Sequence, residues 1–302
     1  MSALPIISSQ DGPQITVNDW LKDPLTIPEY ILDQSKQGFI ADAVLRPGGT
    51  AEAGVVRFHE STPLYLDSTI TTRAEFSEVP VGVGSLGSPN VVYTQETSIG
   101  VVVSDWMRRR NAIDVMSLKM KQAINSISRA WDDIFVQAVI GNANVQTGAA
   151  SAHWNISSTD IRSDILTAMK AIESAQDAQG SELGYECDTM IVNRTNKFDI
   201  MRSTQFNAEY LGGDIADQNL RYTGLLPQKI MGLNVLASPR IPAGTVIFLQ
   251  RGASGFIADE VPLQATAMYR DETRKSSRSD VLRQSAVGID QPRSVFVMTG
   301  TT

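Results

Sequence analysis

Between Ile113 and Ile140 apolar residues return every three or four positions: Ile113, Met116, Met120, Ile124, Ile127, Trp131, Ile134 and Ala138. That spacing draws one stripe along a single α-helix. At the standard rise such a helix is on the order of 40 Å long, and few helices of globular proteins reach that length. Asp114 is a plausible N-cap, and Gly141-Asn142 supplies the stop. A second helix is expected over Asp160 to Ala175, opened by Ser158 or Thr159 and striped by Ile161, Ile165, Met169 and Ile172.

The segments before the long helix have a different character. Up to about Ala53 prolines recur (Pro5, Pro13, Pro24, Pro28, Pro47) and only short apolar pieces such as Leu25 to Ile31 stand between them. This reads as an extended arm that buries too little of itself to be stable alone and must lie on another surface. Val55 to Asp105 is rich in Val, Thr, Tyr and Phe, with a Gly/Pro/Ser break from Pro80 to Pro89. It predicts a long two-stranded excursion, with Ile99 to Val103 in its strands and a loose tip. Two strands by themselves are marginal in water, so this hairpin also needs a partner.

Beyond the second helix, Cys187 to Val192 predicts a buried strand and Thr195 to Arg202 a short helix. Leu233 to Ser238 and Thr245 to Leu249 suggest a strand pair around the turn Pro239 to Gly244. Gly255 to Ala258, Leu263 to Arg270, Val281 to Ile289 and Ser294 to Thr299 complete a strand-rich C-terminal part. The fold class is mixed α+β, with no internal repeat and no low-complexity tract.

With 302 residues, 42% of them hydrophobic, the chain can bury one large core or two modest ones. Its net charge of -7 argues against tight binding of nucleic acid, although a container for DNA needs a wall that does not grip the polymer. Cys187 is the only cysteine, which excludes an intrachain disulfide and a thiolate metal cage and fits a reducing cytosol. Met1 to Asp11 carries no signal-peptide pattern, and no stretch approaches the roughly 18 apolar residues of a membrane span. A soluble protein without a membrane partner is expected.

Signs of catalysis are weak. Gly82-Val83-Gly84-Ser85-Leu86-Gly87 matches the dinucleotide fingerprint, but that chemistry needs a helix to begin at the turn so that its amides hold the pyrophosphate. Ser88-Pro89-Asn90 and a β-rich run follow instead, so a glycine-rich tip is the better reading and no cofactor is expected. His59 and His153 lack a second ligand at metal spacing, and no G-x-S-x-G elbow is present. Neither a catalytic nor a metal site is expected.

Arg108-Arg109-Arg110 is the densest basic run, and three readings of it stand: a solvated helix approach, a phosphate contact, or pairing between copies of the chain. The last is suggested by the hairpin, where Glu60, Asp67, Glu75, Glu78 and Glu96 outweigh Arg57 and Arg73. An acidic arm of this kind seeks a basic patch, which makes Glu75 and Glu78 candidates to face Arg108, Arg109 and Arg110 of a neighbour.

The order of parts, an arm, an acidic hairpin, one very long helix, an α/β middle and a strand-rich return, resembles the major capsid proteins of tailed bacteriophages with the Hong Kong 97 fold. Particular stretches carry the likeness: Ile191-Val192-Asn193-Arg194, Tyr210-Leu211-Gly212-Gly213, Met231 to Ser238 leading to Ile241-Pro242-Ala243-Gly244-Thr245, and Gln291-Pro292-Arg293-Ser294-Val295. It extends over nearly the whole chain. The resemblance implies an N-terminal arm over 1–53, an E-loop over 54–96, a P-domain over 97–150 and 262–302, and an A-domain over 151–261. The loop at Leu211, Gly212 and Gly213 would face the symmetry axis, and the C-terminal strands would return to the P-domain.

Such a chain self-assembles, without catalysis, into hexamers and pentamers of an icosahedral head, made in the host cytoplasm and ending in the virion. Expected partners are other copies, a separate scaffolding protein, a portal, a decoration protein in some heads, and weakly held genomic double-stranded DNA. Some relatives weld their shells through a bond between an E-loop lysine and an asparagine in the C-terminal strands. Here no lysine lies between Gly54 and Glu96 and no asparagine after Asn234, so a noncovalent shell is expected; the N-terminal segment is too short for a fused scaffolding domain, so a separate scaffolding protein and an untrimmed arm are expected. The nearest alternative within the resemblance is an encapsulin, a compartment of the same fold around enzyme cargo; the long arm favours the phage reading.

Overall fold

The computed structural model describes residues 29–31, 39–63, 66, 72, 75–79, 81–84, 86–110, 113–156, 159–177, 180–203 and 229–302. Along these the chain forms helix α1 (Ile40–Val44), strands β1 (Arg46–Thr50), β2 (Val55–Glu60), β3 (Ser88–Tyr93) and β4 (Gln95–Ser104), then helices α2 (Asp105–Arg109) and α3 (Ile113–Ile140). Strand β5 (Gln146–Ala149), helix α4 (Ile161–Glu173), strand β6 (Thr189–Asn193) and helix α5 (Arg194–Arg202) follow. The remainder is β7 (Lys229–Ile230), β8 (Leu233–Ser238), β9 (Thr245–Leu249), β10 (Phe256–Ala265), β11 (Tyr269–Asp271), β12 (Ser276–Gly288) and β13 (Val295–Thr299).

Helix α3 has the predicted limits. No glycine or proline falls within it, and it stops at Gly141, whose amide still donates to Gln137. Because it begins at Ile113, Asp114 stands inside its first turn instead of capping it. The buried line runs through Met116, Met120, Ala123, Ile127, Trp131, Phe135 and Val139, with Ile124, Ile134 and Ala138 at its margin. A straight 3.6-residue helix drifts against any fixed three-and-four pattern, which turns Phe135 and Val139 to the centre near the C-terminal end. Helix α4 is capped by Asp160, whose carboxylate accepts the Ser163 amide at 3.0 Å, and not by Thr159; Ser158 lies outside the described residues.

Two sheets frame these helices. In the six-stranded sheet the order is β5-β13-β9-β6-β8-β7. Every residue of β6 and β9 is buried, as expected where both faces are covered. Side chains alternate between two cores. Ile191, Ile247, Leu249, Val295 and Val297 join the core of α3, while Met190, Val192, Val246, Phe248, Phe296 and Met298 join Ile161, Ile165, Ala168 and Ile172 of α4. The sheet is thus a wall between the long helix and the shorter one. The strands β8 and β9 do not pair with each other as anticipated, because β6 lies between them, parallel to β8 and antiparallel to β9.

The second sheet is built on β12. Its length gives one edge entirely to β4 and shares the other between β10 and β11. Residues Ile99 to Val103 therefore belong to this sheet and not to the hairpin. Leu263 to Arg270 is not one strand, since β10 ends at Ala265 and β11 starts at Tyr269. The C-terminal strands also divide: β12 runs beside β4, whereas β13 crosses to the six-stranded sheet.

The described part of the arm is seated on its own chain. Ile31, Phe39, Ala41, Val44 and Leu45 are buried in the core of α3, and β1 adds to β10 in parallel. From Phe39 onward the surface on which the arm lies is that of its own chain, where Phe39, Ala41, Val44 and Leu45 reach the flank of α3. Residues 1–28 and Leu211 to Gly213 lie outside the described residues.

Candidate assembly surfaces

Strands β2 and β3 pair antiparallel from Val55↔Tyr93 to Glu60↔Ser88, forming the predicted hairpin. Two contacts fix its base. Phe58 meets Phe256 edge-to-face with centroids 5.2 Å apart, and Phe256 in turn lies so close over Gly288 of β12 that a Cβ there would meet its ring at 2.5 Å. At the other end Glu60, 5% exposed, takes the side-chain amides of Asn90 at 3.0 Å, Asn142 at 3.1 Å and Asn144 at 3.0 Å. A buried carboxylate costs several kcal/mol unless its oxygens are filled. Here amides from β3 and from the turn after α3 fill them, so the hairpin is clasped to the end of the long helix.

The glycine motif has a structural use at this point. The chain returning at Gly87 crosses Glu60 so tightly that a Cβ would lie 2.1 Å from the Glu60 carbonyl oxygen. Strand β3 begins at Ser88, where a dinucleotide site would need a helix. His59 sits beside the same crossing, its Nδ1 3.0 Å from the Gly87 carbonyl oxygen. No cluster of His, Cys, Asp or Glu placed to hold a metal occurs among the described residues, and no helix among them is long and apolar enough to cross a membrane.

The arm base carries its own polar lock. Arg283, 6% exposed, forms a fork with Asp42 at 2.8 and 3.0 Å and contacts Asp259 at 3.1 Å, its guanidinium 4.4 Å from the Trp131 ring centre. Arg46 pairs with Asp290. Asp132 of α3 accepts the Ile40 amide at 3.1 Å and so caps α1 from a different element; burial pushes its carboxyl up to about 6. These linkages join residues far apart in sequence, and periodicity gives no sign of them.

The candidate contact residues lie where a neighbour can reach them. Glu75 and Glu78 are exposed on the hairpin tip, beside Phe76. Arg108, Arg109 and Arg110 are exposed at the end of α2, which Ser104 caps through the Met107 amide at 3.3 Å. Asp105 of the same helix is taken by Arg270 at 2.6 and 2.7 Å, whose guanidinium holds its carboxyl below the usual range. The Arg110 guanidinium covers the Trp106 ring at 4.0 Å. What sequence reasoning missed is apolar: Phe76, Val81, Val83, Leu86 and Trp106 are all exposed. The signal was in the sequence, as apolar residues in a glycine- and proline-rich stretch, but exposure is not a property of composition.

A search of curated proteins finds no match. Solved structures are similar over nearly the whole chain at low identity. The capsid of cyanophage P-SCSP1u matches with a TM-score of 0.61 at 11% identity, covering 99% of this chain and 92% of that one. Mycobacterium phage Che8 matches at 0.56 and 15% identity over 100% and 97%. A virus-like particle from Pyrococcus furiosus matches at 0.59 and 11% identity over 90% and 97%. At these identities the likeness establishes the fold, a mixed α+β architecture of the Hong Kong 97 type. A family model described as phage capsid protein matches residues 90–298, from the hairpin's second strand through α3, both sheets and most of β13. With two exposed surfaces and a fold shared with phage heads, the chain belongs to the phage capsid protein family, a structural and non-enzymatic component of the virion.

Proposed function

We propose that this major capsid protein forms the hexamers and pentamers of an icosahedral head around double-stranded DNA, with a separate scaffolding protein and a portal as further partners. The observation that carries the reading is the hairpin, which is rigidly clasped at Glu60 yet exposes apolar side chains at its tip. A lever of that kind has a use only where another subunit lies under it. In this reading residues 1–53 are the N-arm and 54–96 the E-loop. Residues 97–150 and 262–302 are the P-domain, with β13 lent to the A-domain sheet, and 151–261 are the A-domain, whose loop at Leu211 to Gly213 faces the axis.

Glu75 and Glu78 pair with Arg108, Arg109 and Arg110 of a neighbour. Exposed pairs contribute only about 0.2–1 kcal/mol each, so their effect comes from repetition around each ring. Arg109→Glu with Arg110→Glu impairs assembly, and Glu75→Lys with Glu78→Lys in the same chain partly restores it; absence of rescue removes the pairing. Nuclease-protected genomic DNA inside native particles is the test of the function. Particles filled with protein cargo would instead favour the encapsulin-type compartment shell, the alternative within the same resemblance.

A further inference from the structure

Charge is unevenly shared along this chain. Residues 106–140 hold six lysines and arginines against three aspartates, in a chain that holds 26 against 33, and no glutamate occurs between Glu96 and Glu173. Glutamate is among the better helix formers, and exposed helix faces pair it with lysine. Helix α3 instead exposes Gln122, Asn125, Ser126 and Arg129, although asparagine and serine are poorer helix formers. Propensity therefore does not account for this side of the helix.

The other side of α3 packs on β4, β12 and α1. On the open side Gln122, Asn125 and Arg129 follow one another at steps of three and four, and Lys119 and Lys121 stand at its two margins, all exposed. From Lys119 to Arg129 the helix rises about 15 Å, on the scale of the roughly 12 Å major groove of duplex DNA.

Donors dominate this stretch. Lys119 gives one of its ammonium protons to the Val102 carbonyl at 3.3 Å, which leaves others for a ligand. Ser126 turns back on the helix, its hydroxyl donating to the Gln122 carbonyl at 2.7 Å. Of the aspartates, Asp132 is buried and Asp133 lies 3.8 Å from Arg129, while the side chain of Asp114 lies outside the described residues. Cations set among neutral amides suit a phosphate backbone, which takes charge and hydrogen bonds at any base sequence. An acidic protein helix would also seek apolar contact, and no large apolar side chain is exposed between Lys119 and Arg129.

We propose that the open side of α3, from Lys119 to Arg129, is where the shell wall meets the packaged duplex, with Lys119, Lys121 and Arg129 on phosphates and the Gln122 and Asn125 amides on phosphate oxygens. The inference rests on the shell reading above and deepens it by naming the surface. Arg108 to Arg110, assigned above to a neighbouring subunit, are no part of this surface. Three cations in an acidic chain make the contact weak, so the wall touches the polymer without gripping it.

Formaldehyde crosslinking of DNA-filled heads, read by mass spectrometry, tests the surface. Nucleotide adducts on Lys119 and Lys121 should exceed those on Lys170 and Lys275, which are also exposed, at least tenfold. Heads built from a Lys121→Gln, Arg129→Gln subunit should form in wild-type number, yet their Lys119 adduct should fall at least fivefold.

Adducts spread evenly over the four lysines, or confined to Lys170 and Lys275, overturn the inference and leave the shell reading standing. Crosslinks from Lys119 or Lys121 to an acidic head protein, or to residues 1–28, in place of DNA overturn it as well by giving the surface another occupant. Wild-type heads without DNA overturn the shell reading itself and this inference with it. Should the double variant not assemble, the adduct pattern of wild-type heads decides alone.

Discussion

The six-stranded sheet and the hairpin draw on the same residue types, Val, Ile, Leu and Phe, and put them to opposite uses. In the sheet, every side chain of β6 and β9 is buried, odd positions toward α3 and even ones toward α4. In the hairpin, the strands are short and the large apolar side chains described at the tip, Phe76, Val79, Val81, Val83 and Leu86, are exposed. The sheet closes its own account within one chain; the hairpin does not. What differs is the number of covering layers, two for the sheet and none over the described apolar residues of the tip; in the proposed shell another subunit supplies that cover.

Substitutions separate these two roles. The largest effect is expected for Phe248→Ala, at a position with 0% exposure in the wall between the cores. Loss of a buried phenylalanine costs about 3–5 kcal/mol, and chemical denaturation of the free subunit should show it as a lower midpoint. If instead the subunit were unaffected and only assembly suffered, the contrast between body and tip would fail.

Next comes Asp132→Asn, with the opposite sign. The Asp132 carboxyl titrates near 6 in the folded chain against 3.8 for the free side chain. The folded state therefore holds the proton more tightly than the unfolded one, and stability falls as pH rises from about 4 through 6. Asparagine keeps an acceptor for the Ile40 amide and removes the buried charge. The variant should be more stable than wild type by about 3 kcal/mol at pH 7.5, with the gain vanishing near pH 4. A gain independent of pH would assign the effect to something other than this carboxylate.

A smaller effect is expected for Glu60→Gln, which replaces one of the acceptor oxygens with a donor facing asparagine donors. The loss should be about 1–2 kcal/mol, read locally as faster proteolysis within 61–87 while the body's unfolding midpoint moves little. Equal loss in both regions would mean that the hairpin base is part of the body's core. Phe76→Asn should change free-subunit stability least, by no more than about 0.5 kcal/mol, since asparagine accepts a positive φ more readily than phenylalanine. The same variant should lower particle yield at least tenfold. A stability loss with normal assembly would reverse the assignment.

Helix α3 was legible because its signal repeats over about eight turns and its stop at Gly141 agrees with it: the periodicity is local, and no distant contact was needed to see it. The hairpin, α4 and the α/β middle were visible on the same grounds. Strand partners were not. That β6 comes between β8 and β9, that Ile99 to Val103 leaves the hairpin for β12, and that β13 parts from β12 are all questions of which backbone edge meets which, and a strand's residues state its faces without naming its edges.

The surfaces divide in the same way. Sequence offered Glu75, Glu78 and Arg108 to Arg110 as candidate contact residues, because charge is a property of the residue. The Glu60 clasp and the Arg283 lock on Asp42 and Asp259 needed coordinates, because they gather residues up to 84 and 241 positions apart, and the exposure of Trp106 is likewise not written in its neighbours along the chain.

The order of residues alone determined the element types, the long helix, the acidic hairpin and the absence of a helix after Gly87, since each follows from spacing within a short window. Tertiary structure decided strand order, the seating of residues 39–50 on α3 and β10, and which apolar residues remain open. Those outcomes depend on packing between distant segments, where the free energy of burial is shared by residues that no local pattern joins.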